Sequence, residues 1–348
     1  MNTLTSAPLK GAGLKEGRDR RWVWVKRIAM ALVIGIVLPA AVGSAYQVIA
    51  TSVDKANFQA PGQMVEVGGF QMHLNCSGEG SPTVVLEPGG GSSSLVWYLI
   101  QPEVAKSTRV CAYDRAGMGW SDPGPGPRDG QHIALELHTL LNRADIPAPY
   151  VLAGWSYGGL FVRSYVDLYP EDVAGMVLLD ASHTDIWSGT EQGQSRYQTD
   201  STLYRGMLLL ARFGLMRLLP IPFTAPPESL PAGQMPQWKA MHSTTKYFDT
   251  TEAESRSILD TMAQVRRAAH LGSLPLIVVT AGENQGADGR WAAYQDELAS
   301  SLSHNSTHIL VEGAQHHDLI FDPEFSQASS STILQLIETI RGDTAGAP

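Results

Sequence analysis

The sequence predicts an α/β fold, a mostly parallel sheet with helices on both faces, preceded by a transmembrane helix. Three observations carry this. Short, wholly apolar runs recur between stretches of helical spacing, the pattern of parallel strands covered on both faces. One such run, Tyr150-Val151-Leu152-Ala153, leads into Gly154-Trp155-Ser156-Tyr157-Gly158 and then into helical spacing over residues 160–166. Residues 28–50 carry no charge, which is long enough for a helix to cross a bilayer.

Length and charge bound the rest. At 348 residues, 43 % hydrophobic and 17 % charged, the chain suits one large domain with an insertion rather than two domains. The net charge is -9. Residues 1–27 hold seven Lys/Arg against two Asp/Glu, leaving 18 against 32 in the remainder. A body this acidic argues against nucleic acid as a partner.

Residues 1–20 are small, polar and basic, and composition predicts disorder there. Residues 1–27 form a basic tail and 28–50 the membrane segment. Pro39 is tolerated in a membrane helix, which it would kink. Trp22 and Trp24 would mark one interface and Tyr46 the other. Lys and Arg cluster only on the N-terminal side, so that side is expected in the cytoplasm and the body outside it. A cleavable signal peptide competes with an anchor, because Gly43-Ser44-Ala45 offers small residues after an apolar stretch. Cleavage would make the protein secreted; the anchor would hold the catalytic body at the membrane on its extracytoplasmic side.

The body then reads in order. Met64–Val67 and Phe70–Asn75 alternate around Gly68-Gly69, a hairpin. Apolar strands are expected over 83–86, 109–113, 150–153, 175–180, 274–280 and 307–311, with helices over 132–141 and 330–340. Residues 183–272 break the alternation. An amphipathic helix over 203–219, a Pro-rich link and a polar helix over 252–269 read as a helical lid. The core is then 60–182 with 273–342, and the lid overhangs the sheet edge where ligands bind in such folds.

Gly154–Gly158 is a G-x-S-x-G sequence in a strand–turn–helix context, which defines a nucleophile elbow. The strained turn lifts the Ser156 hydroxyl out of the sheet, and the N–H of Tyr157 can face a developing oxyanion. Three further motifs stand around it in sequence order: Glu87-Pro88-Gly89-Gly90-Gly91, then Tyr113-Asp114-Arg115-Ala116-Gly117-Met118-Gly119-Trp120-Ser121, and finally Glu312-Gly313-Ala314-Gln315-His316. With the elbow, they resemble the α/β-hydrolase superfamily over residues 60–340. The set is specific for the fold and poorly specific for substrate.

The resemblance implies roles. Ser156 matches the nucleophile, and His316 the base that takes its proton, with neighbouring His317 as the other candidate. The N–H groups of Gly90 and Tyr157 match the oxyanion hole. Pro88 stands where many members carry His, and Trp155 replaces a commoner His inside the elbow. The third member is expected after the 276–280 strand, where Glu283 and Asp288 stand off the usual spacing. Some branches supply it from the preceding strand, and that position here is Asp180. Asp180 is the preferred acid, Asp288 and Glu283 the alternatives. Family geometry also makes the strands of Cys76 and Cys111 neighbours, which would allow a disulfide in an oxidising compartment.

A serine at the elbow disfavours the dehalogenases and epoxide hydrolases of this fold, which need a carboxylate there. It suits ester or related acyl cleavage through an acyl-enzyme. The expected function is therefore a serine hydrolase, esterase- or lipase-like, acting on a small-molecule ester, lipidic ones included. An acyltransferase, a peptidase or a non-catalytic binder would share the scaffold. No cofactor is expected: His132, His138, His304 and His308 lack ligand spacing to Cys or carboxylates, and the glycine run lacks the Lys-Ser/Thr of a phosphate loop.

Overall fold

The computed structural model describes residues 13–187, 190–218, 225–268, 270–284, 286 and 289–345. Among the described residues one sheet of eight strands forms. The first four are β1 Gln63–Glu66, β2 Gln71–Ser77, β3 Thr83–Glu87 and β4 Val110–Tyr113. The others are β5 Tyr150–Trp155, β6 Val173–Leu179, β7 Leu276–Ala281 and β8 Ser306–Val311. The order is β1-β2-β4-β3-β5-β6-β7-β8. β2 runs antiparallel to both its neighbours, and every other pair is parallel.

The helices follow in chain order. α1 Gly13–Leu32 and α2 Leu38–Asn57 precede the sheet, α3 Ile100–Val104 follows β3, and α4 Gly130–Arg143 follows β4. α5 Gly158–Leu168 leaves the elbow; α6 Glu191–Arg212, α7 Met235–Met241 and α8 Thr245–Arg267 lie between β6 and β7. α9 Trp291–Ser301, α10 Asp318–Phe321 and α11 Phe325–Ala345 complete the set.

Period-two alternation inside the apolar strands sorts the core into two layers. Val84 and Leu86 of β3, Val151 and Ala153 of β5, and Val177 and Leu179 of β6 pack towards α3 and α11. The residues between them, Val85, Leu152 and Leu178, pack towards α4 and α5. Ser156, Asp180 and His316 all follow the C-terminal ends of parallel strands, at one edge of the sheet.

Several boundaries differ from expectation, for physical reasons. Helix α1 is already formed at Gly13, within the stretch expected to be disordered, because extending an existing helix needs no new nucleus. A π-helical turn, Val33–Val37, directly precedes Pro39, and the Leu38 N–H reaches back to Val33 O. That re-pairing keeps Arg20–Asn57 one continuous helix. It runs past residue 50 because its last turns bond to the lid rather than to water. α6 starts at Thr190, whose hydroxyl accepts from Gly193 N–H at 3.1 Å, and stops before Gly214 in the left-handed conformation at φ 71°. α8 likewise starts earlier than its apolar spacing suggests, capped by Thr244. Amphipathic spacing marks only the buried part of a helix; caps mark its ends.

Cys76 and Cys111 oppose each other on β2 and β4 and form a disulfide. The two cysteines are 35 residues apart in sequence, and cross-linking a loop of that length stabilises by about 3–4 kcal/mol. Reduction with dithiothreitol is expected to lower the thermal midpoint measurably without abolishing the fold. An unchanged midpoint in fully reduced protein, checked by thiol titration, would contradict this.

Candidate active site

β5 ends at Trp155, and Ser156 turns the chain into α5 with φ 57°. A side-chain-bearing residue pays about 1–2 kcal/mol for that left-handed geometry. It is held by Ser156 N–H donating to Leu179 O at 3.2 Å and Ser182 N–H donating to Ser156 O at 2.9 Å. The flanking positions must be glycine. A Cβ on Gly154 would stand 2.6 Å from Gly158 O, and one on Gly158 would stand 2.4 Å from Glu87 O. The loop after β3 therefore lies directly against the elbow. The N–H groups of Gly90 and Tyr157 have no partner among the described residues.

Asp180 follows β6, fully buried, with φ 44°. Its Oδ2 lies 2.5 Å from His316 Nδ1 and accepts from Asn284 Nδ2 at 2.6 Å. Its Oδ1 accepts from Ala281 N–H at 3.0 Å and from Trp291 Nε1 at 2.7 Å. Four donors on one buried carboxylate leave its orientation no freedom. Glu283, the alternative acid, is exposed, and Asp288 lies outside the described residues.

His316 follows β8 and sits between two indoles. Trp155 stacks on it at 5.1 Å between centroids and donates Nε1–H to its carbonyl at 3.2 Å. Trp291 meets it edge-on at 5.8 Å. Trp155 is thus no incidental replacement inside the elbow: it orients the histidine loop. His317 packs on Phe321, and burial, then neighbouring His316, hold its pKa below the ordinary histidine value. Ser156 and His316 line one cavity of about 750 Å³ with Trp187, Tyr204, Trp238 and Tyr247. No hydrogen bond joins the two catalytic candidates among the described residues; in unliganded sites this contact commonly closes only around substrate.

Beneath the β3 loop lies a fully buried ion cluster. Arg115 donates to Glu87 at 2.7 Å, to Glu254 of α8 at 2.7 and 3.0 Å, and to the carbonyls of Pro88 and Gly89 at 2.7 and 2.8 Å. Glu254 also accepts from Gly91 N–H at 3.3 Å. Burial pushes the Glu87 carboxyl up to about 7, against the pull of Arg115 and of the Tyr113 hydroxyl that donates to it. Glu87 therefore points at Arg115 and not into the cavity. Asp114 of the same motif accepts from Ser94 N–H at 2.6 Å and Trp120 N–H at 2.9 Å, tying two loops together. Burial alone would raise its pKa, but His73 at 2.9 Å and these donors bring it down to about 2.

Sequence reasoning missed Asn284, Trp291 and Glu254. Nothing in their local pattern separates them from loop or helix-surface residues; only the crossing of α8 and the β7 loop over the sheet edge brings them in. Among the described residues no cluster of His, Cys, Asp or Glu could hold a metal ion.

A family model described as the alpha/beta hydrolase fold matches residues 82–216. The uncharacterized protein YqjL of Bacillus subtilis is 26 % identical over 69 % of this chain and 78 % of its own length. A Hormonema carpetanum protein named as a probable transporter, efuK, is 32 % identical over 34 % of this chain. The chain spans only 18 % of that relative's length. Among solved structures, a Vigna radiata epoxide hydrolase mutant superposes with a TM-score of 0.63, covering 80 % of this chain and 98 % of that one at 16 % identity. That likeness is one of fold.

Proposed function

We propose that this chain, whose residues 82–216 match the alpha/beta hydrolase fold family, is a serine hydrolase cleaving a carboxylic ester, or a related acyl bond, through Ser156, His316 and Asp180. The single observation that carries this is the 2.5 Å contact between His316 Nδ1 and Asp180 Oδ2, on the wall of the cavity that Ser156 enters from its left-handed turn.

In this reading Asp180 accepts the Nδ1–H of His316 and so leaves Nε2 free as the base. Nε2 takes the Ser156 proton as Oγ attacks the substrate carbonyl. The oxyanion that develops is met by the N–H groups of Gly90 and Tyr157. The imidazolium returns its proton to the departing alcohol, leaving an acyl-Ser156 ester. Water, activated by the same histidine, then releases the acid. A hydroxyl nucleophile, rather than a carboxylate, supports acyl chemistry over the epoxide opening named for the structural neighbour. A fluorophosphonate probe is expected to label the wild-type protein and not Ser156→Ala, and p-nitrophenyl esters of rising chain length would rank the acyl group. Equal labelling of both proteins would sink the assignment.

The apolar helix Arg20–Asn57 is a candidate membrane span. Its basic flank on the N-terminal side only supports an anchor with the hydrolase body exported, and the Cys76–Cys111 disulfide suits an oxidising compartment. Alkaline phosphatase fused at the C-terminus is expected to be active. A silent phosphatase together with an active cytoplasmic reporter at the same site would reverse the topology.

A further inference from the structure

The N-terminal helix meets the lid while still within its uncharged run. Gly43 lies against the turn after α6 so closely that a Cβ on it would stand 2.4 Å from Phe213 O. Tyr46 packs its ring on Gly214 of the same turn. Arg217 then clamps the next two turns of helix, donating to Gln47 at 2.9 Å, Thr51 at 3.1 Å and Asp54 at 2.6 Å. Gln47 donates in turn to Ser243 O at 3.0 Å.

Helical rise turns these contacts into a depth. The uncharged run begins at Ile28. At about 1.5 Å per residue Gly43 stands roughly 22 Å along it, while the hydrocarbon core is about 30 Å thick. Tyr46, one turn on, is at the level expected of an interfacial aromatic. Residues 213 and 214 therefore meet the helix on the bilayer side of that boundary, while Arg217 meets it at the boundary and just beyond. The surface of this turn fits: Leu215, Leu218 and, on α6, Leu209 are 38 %, 66 % and 55 % exposed, whereas Arg217 is turned inward onto the helix. Arg212 is exposed between them and long enough to reach headgroups. The same lid piece walls the catalytic cavity, since Tyr204 of α6 lines it and Ala225 and Pro227 lie beyond the turn.

We infer that the lid turn over residues 213–218 is seated in the bilayer and that the site takes a membrane-resident acyl ester, an amphiphilic lipid, from the adjoining leaflet. This rests on Ser156 being the nucleophile. Trp187, Tyr204, Trp238 and Tyr247 give the cavity an aromatic lining that suits an acyl chain.

The experiment uses the full chain in vesicles of phosphatidylcholine and phosphatidylglycerol. Because the native cysteines are paired, Leu218→Cys and, as a control, Glu338→Cys can each carry a single NBD fluorophore. At position 218 emission is expected to be quenched several-fold more by doxyl-labelled lipid than by iodide, and the reverse at position 338. Quenching by iodide alone at 218 overturns the inference. In parallel, Leu215→Asp with Leu218→Asp is expected to cut hydrolysis of p-nitrophenyl palmitate held in vesicles by at least tenfold. Turnover of soluble p-nitrophenyl acetate should stay within twofold. Equal loss of both activities, or of neither, overturns it too. Failure of the underlying assignment is seen separately, as acetate ester hydrolysis surviving Ser156→Ala.

Discussion

Asp180→Asn is expected to lower kcat by about 10⁴, the loss seen when the acid of a serine triad is replaced by its amide in another fold. The fold should survive, because Asn is among the few residues that tolerate the left-handed backbone held here at φ 44°. The chemistry should not. Asp180 accepts four hydrogen bonds, from His316, Asn284, Trp291 and the Ala281 N–H. An amide has one acceptor oxygen. Whichever way it is flipped, its NH₂ faces donors, and the imidazole is released from the tautomer that leaves Nε2 basic. Glu283→Gln, on an exposed side chain off this network, is expected to change kcat by less than twofold. Steady-state kinetics on p-nitrophenyl butyrate, with circular dichroism as the check on folding, read both. Near-wild-type turnover in Asp180→Asn would move the acid elsewhere.

Glu254→Ala is expected to be the most damaging change in the lid. It strips the fully buried Arg115 of one of its two carboxylate partners and Gly91 of its acceptor. Breaking a buried pair on one side costs about 3–5 kcal/mol, because the remaining charge stays desolvated. For a domain of this size that is a drop of roughly 10 °C in thermal midpoint. The same arginine holds the carbonyls of Pro88 and Gly89, next to Gly90. Turnover should therefore fall by at least tenfold even below the melting range, if the Gly90 N–H does face the oxyanion. Glu254→Gln keeps the shape and should lie between. A midpoint and kcat both unchanged in Glu254→Ala would mean that the cluster neither stiffens the loop nor joins it to the lid.

How much of this was legible before the fold was known depends on how local each signal is. The elbow is local: glycine, serine, glycine, an apolar strand before and a helix after, all forced by backbone crowding that any reader of residues 150–166 can infer. The sheet is nearly as local, since short apolar runs alternating with helical spacing are the pattern of parallel strands covered on both faces. The uncharged N-terminal run follows from length alone. Helix ends were less visible, as α6 and α8 show, because the polar turns that extend a helix carry no periodic pattern and depend on caps such as Thr190 and Thr244.

By itself, then, the sequence determined the elbow, the buried strands, the apolar N-terminal span and the resemblance that placed His316 after β8. Each rests on chemistry within a dozen residues or on a motif in fixed order. Only the tertiary structure decided that the Asp180 carboxylate, rather than Glu283, reaches His316, since that depends on where the end of β6 lies relative to a loop 136 residues away. It alone gave Trp155 and Trp291 their place on either side of the histidine, and Glu254 its place under the β3 loop. It alone carried the N-terminal helix onto the lid through Gly43 and Arg217. These contacts join segments distant along the chain, and a side chain in such a contact is selected by what it meets in space, which no spacing along the chain records.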